Sequence, residues 1–290
     1  MLNPDISRPA YRRCETDELE WEQDPTIRDF NRKLLYLDAE TGADTLLRYF
    51  PPGARYAGHG GGRHRHYHLT VRQRAFALYG DFPHCEFKDP LDLDGNNVVF
   101  RRGYFMDRPP RSIHGTQPEP LSQAGAVILQ WNTGGGVGLD DPKAEVETVS
   151  VPFEGDLQSM GNDFPEGRVF DTSSLAWQPH STVPGWKRKV LASPEQHEEA
   201  VSLLFVPPGW KADDTPARGA AVGGRSWLFT LSGDLPLWVY DTAEAVPGEC
   251  MGLREGTYLE WSPPAVVGFE AGPGSEIGCT LLCVGHELIA

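Results

Sequence analysis

The chain offers nowhere the roughly 20 consecutive apolar residues that a membrane-spanning helix requires. Its opening stretch, MLNPDISRPAYRRCETDELEWEQD, also lacks the apolar core of a signal peptide. The expectation is a soluble cytoplasmic protein. Basic charge is scarce as well, with 26 Lys and Arg against 41 Asp and Glu for a formal net charge of -15. Binding to nucleic acid or anionic lipid starts from basic side chains neutralising phosphates, so this balance argues against both partners. Cysteine is sparse, odd in number and never in a C-x-x-C pair, which speaks against a disulfide framework. Cys14, Cys85, Cys250, Cys279 and Cys283 are expected as free thiols, mostly buried. Long stretches of helical period are missing too, which excludes a helical bundle.

What the chain does contain is a series of short apolar runs, such as 45–50, 75–79, 97–100 and 126–131, separated by Gly, Pro and Asp clusters. That pattern describes many short strands joined by turns and predicts an all-β sandwich or barrel. At 290 residues the chain has room for two domains, and an internal repeat points the same way. A shift of 156 superposes Trp21 on Trp177, Arg32-Lys33 on Arg188-Lys189 and Pro51-Pro52-Gly53 on Pro207-Pro208-Gly209. A shift of 153 superposes Phe76 on Phe229, Gly80-Asp81 on Gly233-Asp234 and Gly103 on Gly256. The expected organisation is an N-terminal arm over 1–30, a first barrel over 31–145, a linker over 146–165 that could hold an extra strand, and a second barrel over 166–290. The change of register shortens the second copy where the first holds its histidines.

That histidine segment runs from Gly60 to Gly80 and contains His64, His66, His68 and Gln73. Alternate residues of a strand share a face, so His64, His66 and His68 point the same way and two of them can reach one ion. After a Pro turn, the stretch from Gly103 supplies His114.

These residues resemble the cupin superfamily, whose first motif reads G-x5-H-x-H-x4-E-x6-G and whose second reads G-x5-P-x-G-x2-H-x3-N. Gly60, His66, His68 and Gly80 stand at the first motif's spacings, with Gln73 at its glutamate; Gly103, Pro109 and His114 match the second, with Arg111 at its second glycine and Pro118 at its asparagine. The resemblance implies two double-stranded β-helix barrels in one chain, the first binding a divalent metal through His66, His68 and His114. Gln73 could be a ligand through its amide oxygen, a group that supports the ligands, or a polar residue with no role. In the second copy Gly219, Ala221, Ser226 and Val267 fall at the four ligand positions, so that barrel is expected to hold no metal.

Three neutral imidazoles and an amide leave the full 2+ charge on the ion, which favours an anionic, chelating substrate. The resemblance extends to cupin dioxygenases of the acetylacetone- and quercetin-cleaving types. It implies iron(II), with zinc, nickel, manganese and copper also compatible with the ligand type, and O2 as co-substrate. The expected activity is oxidative cleavage or rearrangement of a small enolisable or hydroxylated aromatic compound, in a specialised-metabolism setting suggested by association alone. Without a carboxylate ligand, a base would come from His64, from Tyr104 or from polarisation by the metal. Tyr104 and Trp131 serve either the core or the pocket; Phe105 and Trp131 are the expected lining of the substrate pocket. A metal-binding sensory cupin and a metal-dependent isomerase or lyase are the alternatives. A small molecule is the expected partner, bound by a monomer or homodimer.

Overall fold

A computed structural model describes residues 11–25, 29–53, 64–116, 122–133, 148–193, 199–212, 217–220, 225–242, 248–270 and 274–285. Apart from two short 3-10 turns, Leu157–Met160 and Thr172–Ser174, the regular structure among these residues is all strand, and no helix is long and apolar enough to cross a membrane. The chain divides into two compact units, Leu19–Ser174 and a second made of Met1–Glu18 with Leu175–Ala290.

The first unit holds β2 (Glu22–Gln23), β3 (Asn31–Leu37), β4 (Asp44–Phe50), β5 (His64–His68), β6 (Gln73–Glu86), β7 (Asn96–Arg101), β8 (Tyr104–Arg108), β9 (His114–Thr116), β10 (Ala126–Asn132), β11 (Thr148–Ser150) and β12 (Arg168–Asp171). The strands follow the order β11-β5-β9-β6-β10-β4-β3-β2, with β7 and β8 also on β6 and β12 on β8. The second unit holds β1 (Tyr11–Glu15), β13 (Gln178–Pro179), β14 (Lys187–Ala192), β15 (Val201–Val206), β16 (Ala217–Ala220), β17 (Ser226–Tyr240), β18 (Glu249–Arg254), β19 (Thr257–Trp261), β20 (Val266–Phe269) and β21 (Cys279–Val284).

Strand pairing, rather than composition, draws the boundaries, and they differ from the sequence expectation. The arm over 1–30 is split: β1 pairs antiparallel with β19 of the second unit, whereas β2 pairs with β3 of the first. The segment expected as a linker over 146–165 is part of the first unit. Its β11 pairs with β5, and Val151 and Phe164 pack with Tyr67, Cys85, Phe87 and Ile113 on the outer face of the sheet. β12, expected in the second barrel, pairs with β8 of the first.

The repeat is visible in three dimensions. Lys33 Nζ lies 4.7 Å from the centre of the Trp21 ring, and Lys189 Nζ lies 4.7 Å from that of Trp177. Gly53 N donates to Ser122 O at 2.8 Å, as Gly209 N does to Ser275 O. In both copies one long strand changes partners at a glycine of positive φ, Gly80 and Gly233. A Cβ there would meet the carbonyl oxygen of Gly125 or Gly278 at 1.8 Å, so no other residue fits without moving backbone.

The two interiors differ in content. The second unit is filled by one apolar cluster that includes Trp186, Leu228, Leu237, Val267, Phe269 and Leu281. In the first, Phe30, Phe50, Phe82, Phe100, Met106 and Ile128 fill one end. The other end is lined by buried histidine, arginine, glutamine and carboxylate side chains.

Candidate metal centre

His64, His66 and His68 alternate along β5 and share its inner face. β9 pairs with β5 so that His114 stands directly opposite His66. Ring centres of His66 and His114 are 4.3 Å apart, and His68 lies 5.2 Å from each. One ligand atom from each of the three falls within 4.8 Å of the others, and all three residues are buried.

The Nδ1 atoms are used for orientation. His114 Nδ1 donates to the carbonyl oxygen of Ser112 at 2.9 Å, and His68 Nδ1 contacts Thr148 Oγ1 at 3.1 Å. Each bond directs the ring's Nε2 inward, the arrangement that metal-binding histidines adopt. His66 Nδ1 lies 3.1 Å from His64 Nδ1. Burial first, and then neighbouring positive charge, holds the three imidazoles below the ordinary histidine range, with His68 brought down to about 4. Neutral, convergent nitrogens are the donors a divalent transition metal takes, so this set could hold such an ion.

A second layer surrounds the imidazoles. Gln73 opens β6 and pairs across the sheet with Arg108 of β8. Arg108 Nη1 donates to Gln73 Oε1 at 2.7 Å, and Nε donates to both oxygens of Glu86 at 3.1 and 3.0 Å. Arg108 Nη2 bonds Glu86 Oε1 and, at 2.9 Å, His84 Nδ1. A guanidinium only donates, so His84 Nδ1 carries no proton and its Nε2 does. Burial also lowers the affinity of His84 for a second proton, with Arg108 adding to the effect. Glu86 in turn stands opposite His114 in the β6/β9 register.

Register extends this layer into a row. Asp44, Asn132, Gln73 and Arg108 are consecutive cross-strand partners on β4, β10, β6 and β8, so their side chains share one face. Asn132 Nδ2 donates to Asp44 Oδ1 at 2.6 Å. One step along, Arg48 donates from Nε to Asp24 at 2.9 Å and from Nη1 to Gln130 Oε1 at 3.0 Å. Burial pushes the Asp44 carboxyl up to about 7 against the opposing pull of Asn132 and Arg48.

The structure thus brings together His64, His66, His68, Gln73 and His114, and it separates three other expected residues from them. Tyr104 shares the face of Arg108 but lies four residues, about 13 Å, further along β8, against the phenylalanine-rich end. Phe105 and Trp131 point to the opposite face of the sheet, their rings 6.1 Å apart, with Phe105 also 5.6 Å from Phe170. They pack on that outer face and do not line the site. Alternation along β8 and β10 put them there, and both are buried on that face.

His84, Arg108, Glu86, Asn132 and Asp44 stand at no motif position in the sequence. The available signal was the alternation of His84 and Glu86 on one strand; their meeting with Arg108 needed the register. Arg111, at the motif's second glycine, adopts φ of 69°, the left-handed region where glycine is usual. Its N–H donates to His68 O at 2.7 Å, which ties this turn to the metal-site strand. His59, Gly60, Pro118, Ala221 and His286 lie outside the described residues.

No family model matches the chain, and no curated protein does. Solved structures do match. Ylba from E. coli shares 12% identity over 100% of this chain and 96% of its own, with a TM-score of 0.62. Oxalate decarboxylase from Bacillus subtilis shares 13% identity over 96% of this chain and 77% of its own, with a TM-score of 0.57, and the Lactobacillus farciminis enzyme 12% over 96% and 86%, at 0.56. The fold is that of a bicupin. Within this fold, Gly219 pairs with Val267 in the second barrel just as His66 pairs with His114 in the first. Ser226 opens β17 as Gln73 opens β6. The second barrel therefore repeats the scaffold with glycine and valine where the first has His66 and His114, and serine where it has Gln73.

Proposed function

We propose that the first barrel is a mononuclear iron(II) centre and that the protein is a dioxygenase cleaving a small, enolisable, chelating compound with O2. The observation that supports this reading is the pairing of three buried neutral imidazoles with a carboxylate, Glu86, whose charge is committed to Arg108. Gln73 in this reading orients the site from behind, its oxygen accepting a proton from Arg108. A divalent ion held by His66, His68 and His114 alone would keep its full charge, acidify a chelated β-dicarbonyl or hydroxylated ring and, as iron(II), support reaction with O2.

The chain's own groups would do the rest. Arg108 holds Gln73, His84 and Glu86 in one fixed arrangement behind the imidazoles. His84 presents an Nε2–H donor. His64, beside His66 and only partly buried, would accept the Nδ1–H of that ligand and orient it, leaving the metal's charge to acidify the substrate. Both atoms of O2 would leave in the products, so no external reductant is required.

A second reading, a redox-neutral metal-dependent lyase or isomerase, draws on two buried guanidinium groups, Arg48 and Arg108, among the charges acting on His68. Such a setting suits a carboxylate substrate, and solved neighbours include oxalate decarboxylases. Metal analysis followed by O2-electrode assays on anaerobically iron-loaded protein, across β-diketones and hydroxylated aromatics, decides between them. Substrate-dependent O2 uptake that disappears in His66→Ala is the expected result. Protein that isolates with zinc alone and consumes no O2 after iron loading would overturn the dioxygenase reading.

A further inference from the structure

Three buried polar atoms without hydrogen-bond partners stand together on one wall of the first barrel: Asp44 Oδ2, Asn132 Oδ1 and Gln130 Nε2. Their residues are 1%, 3% and 2% exposed, so bulk water does not complete them. Burying such groups uncompensated costs free energy, and a site that tolerates three side by side points to a guest that completes them.

The polarity of the wall is set by the partners it already has. Arg48 can only donate, so Gln130 must turn its oxygen toward Arg48 and leave its NH2 free. The Asp44 oxygen accepts from Asn132, so Asn132 must spend its NH2 there and leave its carbonyl oxygen free. The wall thus offers a donor from Gln130 beside an acceptor from Asn132. Asp44, pushed up to about 7 by burial, can add either.

The wall also has a fixed place relative to the imidazoles. Asn132 is the cross-strand neighbour of Gln73, which is bonded to Arg108. Gln130 is held by Arg48, whose charge is one of those depressing His68.

We propose that Gln130, Asn132 and Asp44 form a specificity subsite that receives the far end of the chelating substrate, a group that both accepts and donates a hydrogen bond, such as a hydroxyl or a carboxamide. The subsite rests on the reading of the barrel as a metal centre with a chelating substrate. A purely hydrocarbon tail would leave the same three atoms uncompensated and be disfavoured.

The test compares acetylacetone with 1-hydroxypentane-2,4-dione, which differ by one hydroxyl, in calorimetric titrations of the full chain loaded with redox-inert zinc. The hydroxylated diketone should bind about tenfold more tightly, the effect of satisfying buried partners. Gln130→Glu keeps an oxygen for Arg48 and removes the free donor. It should cancel that preference, bringing the two diketones to equal affinity. Should the variant not fold, the wild-type comparison decides alone. Equal binding of the two diketones overturns the subsite, the unpartnered atoms then being completed by buried water, and leaves the metal reading standing. Failure of both diketones to bind zinc-loaded protein overturns the chelation reading and the subsite with it.

Discussion

Arg108 Nη1 donates to the amide oxygen of Gln73 at 2.7 Å. This bond places the residue at the glutamate position of the histidine motif behind the three imidazoles, where the proposed metal centre would use it to orient ligands. Gln73→Leu is accordingly expected to weaken divalent-metal binding by about tenfold, in the range for loss of a group that orients ligands. His114→Ala should remove stoichiometric binding. Calorimetric titration of metal into chelator-treated protein checks both; an equal loss in the two variants would place Gln73 among the ligands.

The same arginine is held by Glu86 in a buried ion pair. Glu86→Ala leaves a guanidinium unpaired in the barrel, at an expected cost of about 3–5 kcal/mol in metal-free protein. Replacing both partners, as in Glu86→Leu with Arg108→Met, should recover most of that loss because no buried charge remains. Urea denaturation of the two single variants and the double variant measures the coupling, and strictly additive losses would mean that the pair is not interacting.

Gly115 sets the approach of β9 to β5. A Cβ there would stand 1.7 Å from the carbonyl oxygen of His64 and 2.8 Å from its carbon, which are backbone atoms that cannot swing aside. Gly115→Ala is expected to part the two strands and take His114 away from His66, so metal binding fails even where the far end of the barrel stays folded. Metal titration alongside near-ultraviolet circular dichroism reports the two separately. Full metal affinity in the variant would show that the strands tolerate the separation.

Asp44 contributes a pH dependence of definite sign. Its carboxyl is raised from 3.8 to about 7 by burial, so the folded chain retains a proton that the unfolded chain releases. Stability from this group is therefore greatest below about pH 4, declines as pH rises toward 7, and is level above. The total is a few kcal/mol at about 1.4 kcal/mol per pH unit. Asp44→Asn keeps an acceptor for Asn132 and has nothing to ionise, so its stability relative to the wild type should climb between pH 4 and 7. Thermal melts of both proteins across that range decide it; a constant difference would mean that Asp44 titrates normally.

The amino-acid sequence by itself determined the all-β architecture, the duplication and the three imidazoles. These follow from local rules: alternation places His66 and His68 on one face, and the Pro-containing turn after Gly103 returns the chain to bring in His114. The duplication survives in matched pairs such as Lys33 on Trp21 and Lys189 on Trp177, because each pair was present in both copies of the sequence. Only the tertiary structure decided what surrounds those imidazoles. Arg108 meets Gln73, Glu86 and His84 from a different strand, and Asp44 reaches the same row through Asn132, by a register that no local pattern encodes. Phe105 and Trp131 show the converse. Their apolar character fits either face of a strand, and only the folded chain, in which Phe170 of β12 comes beside Phe105 from more than 60 residues further along, shows the outer face to be a buried one. Contacts between strands distant in sequence set which side of the sheet is wet, which is dry and which charges are neutralised. Those contacts exist only once the barrel has closed.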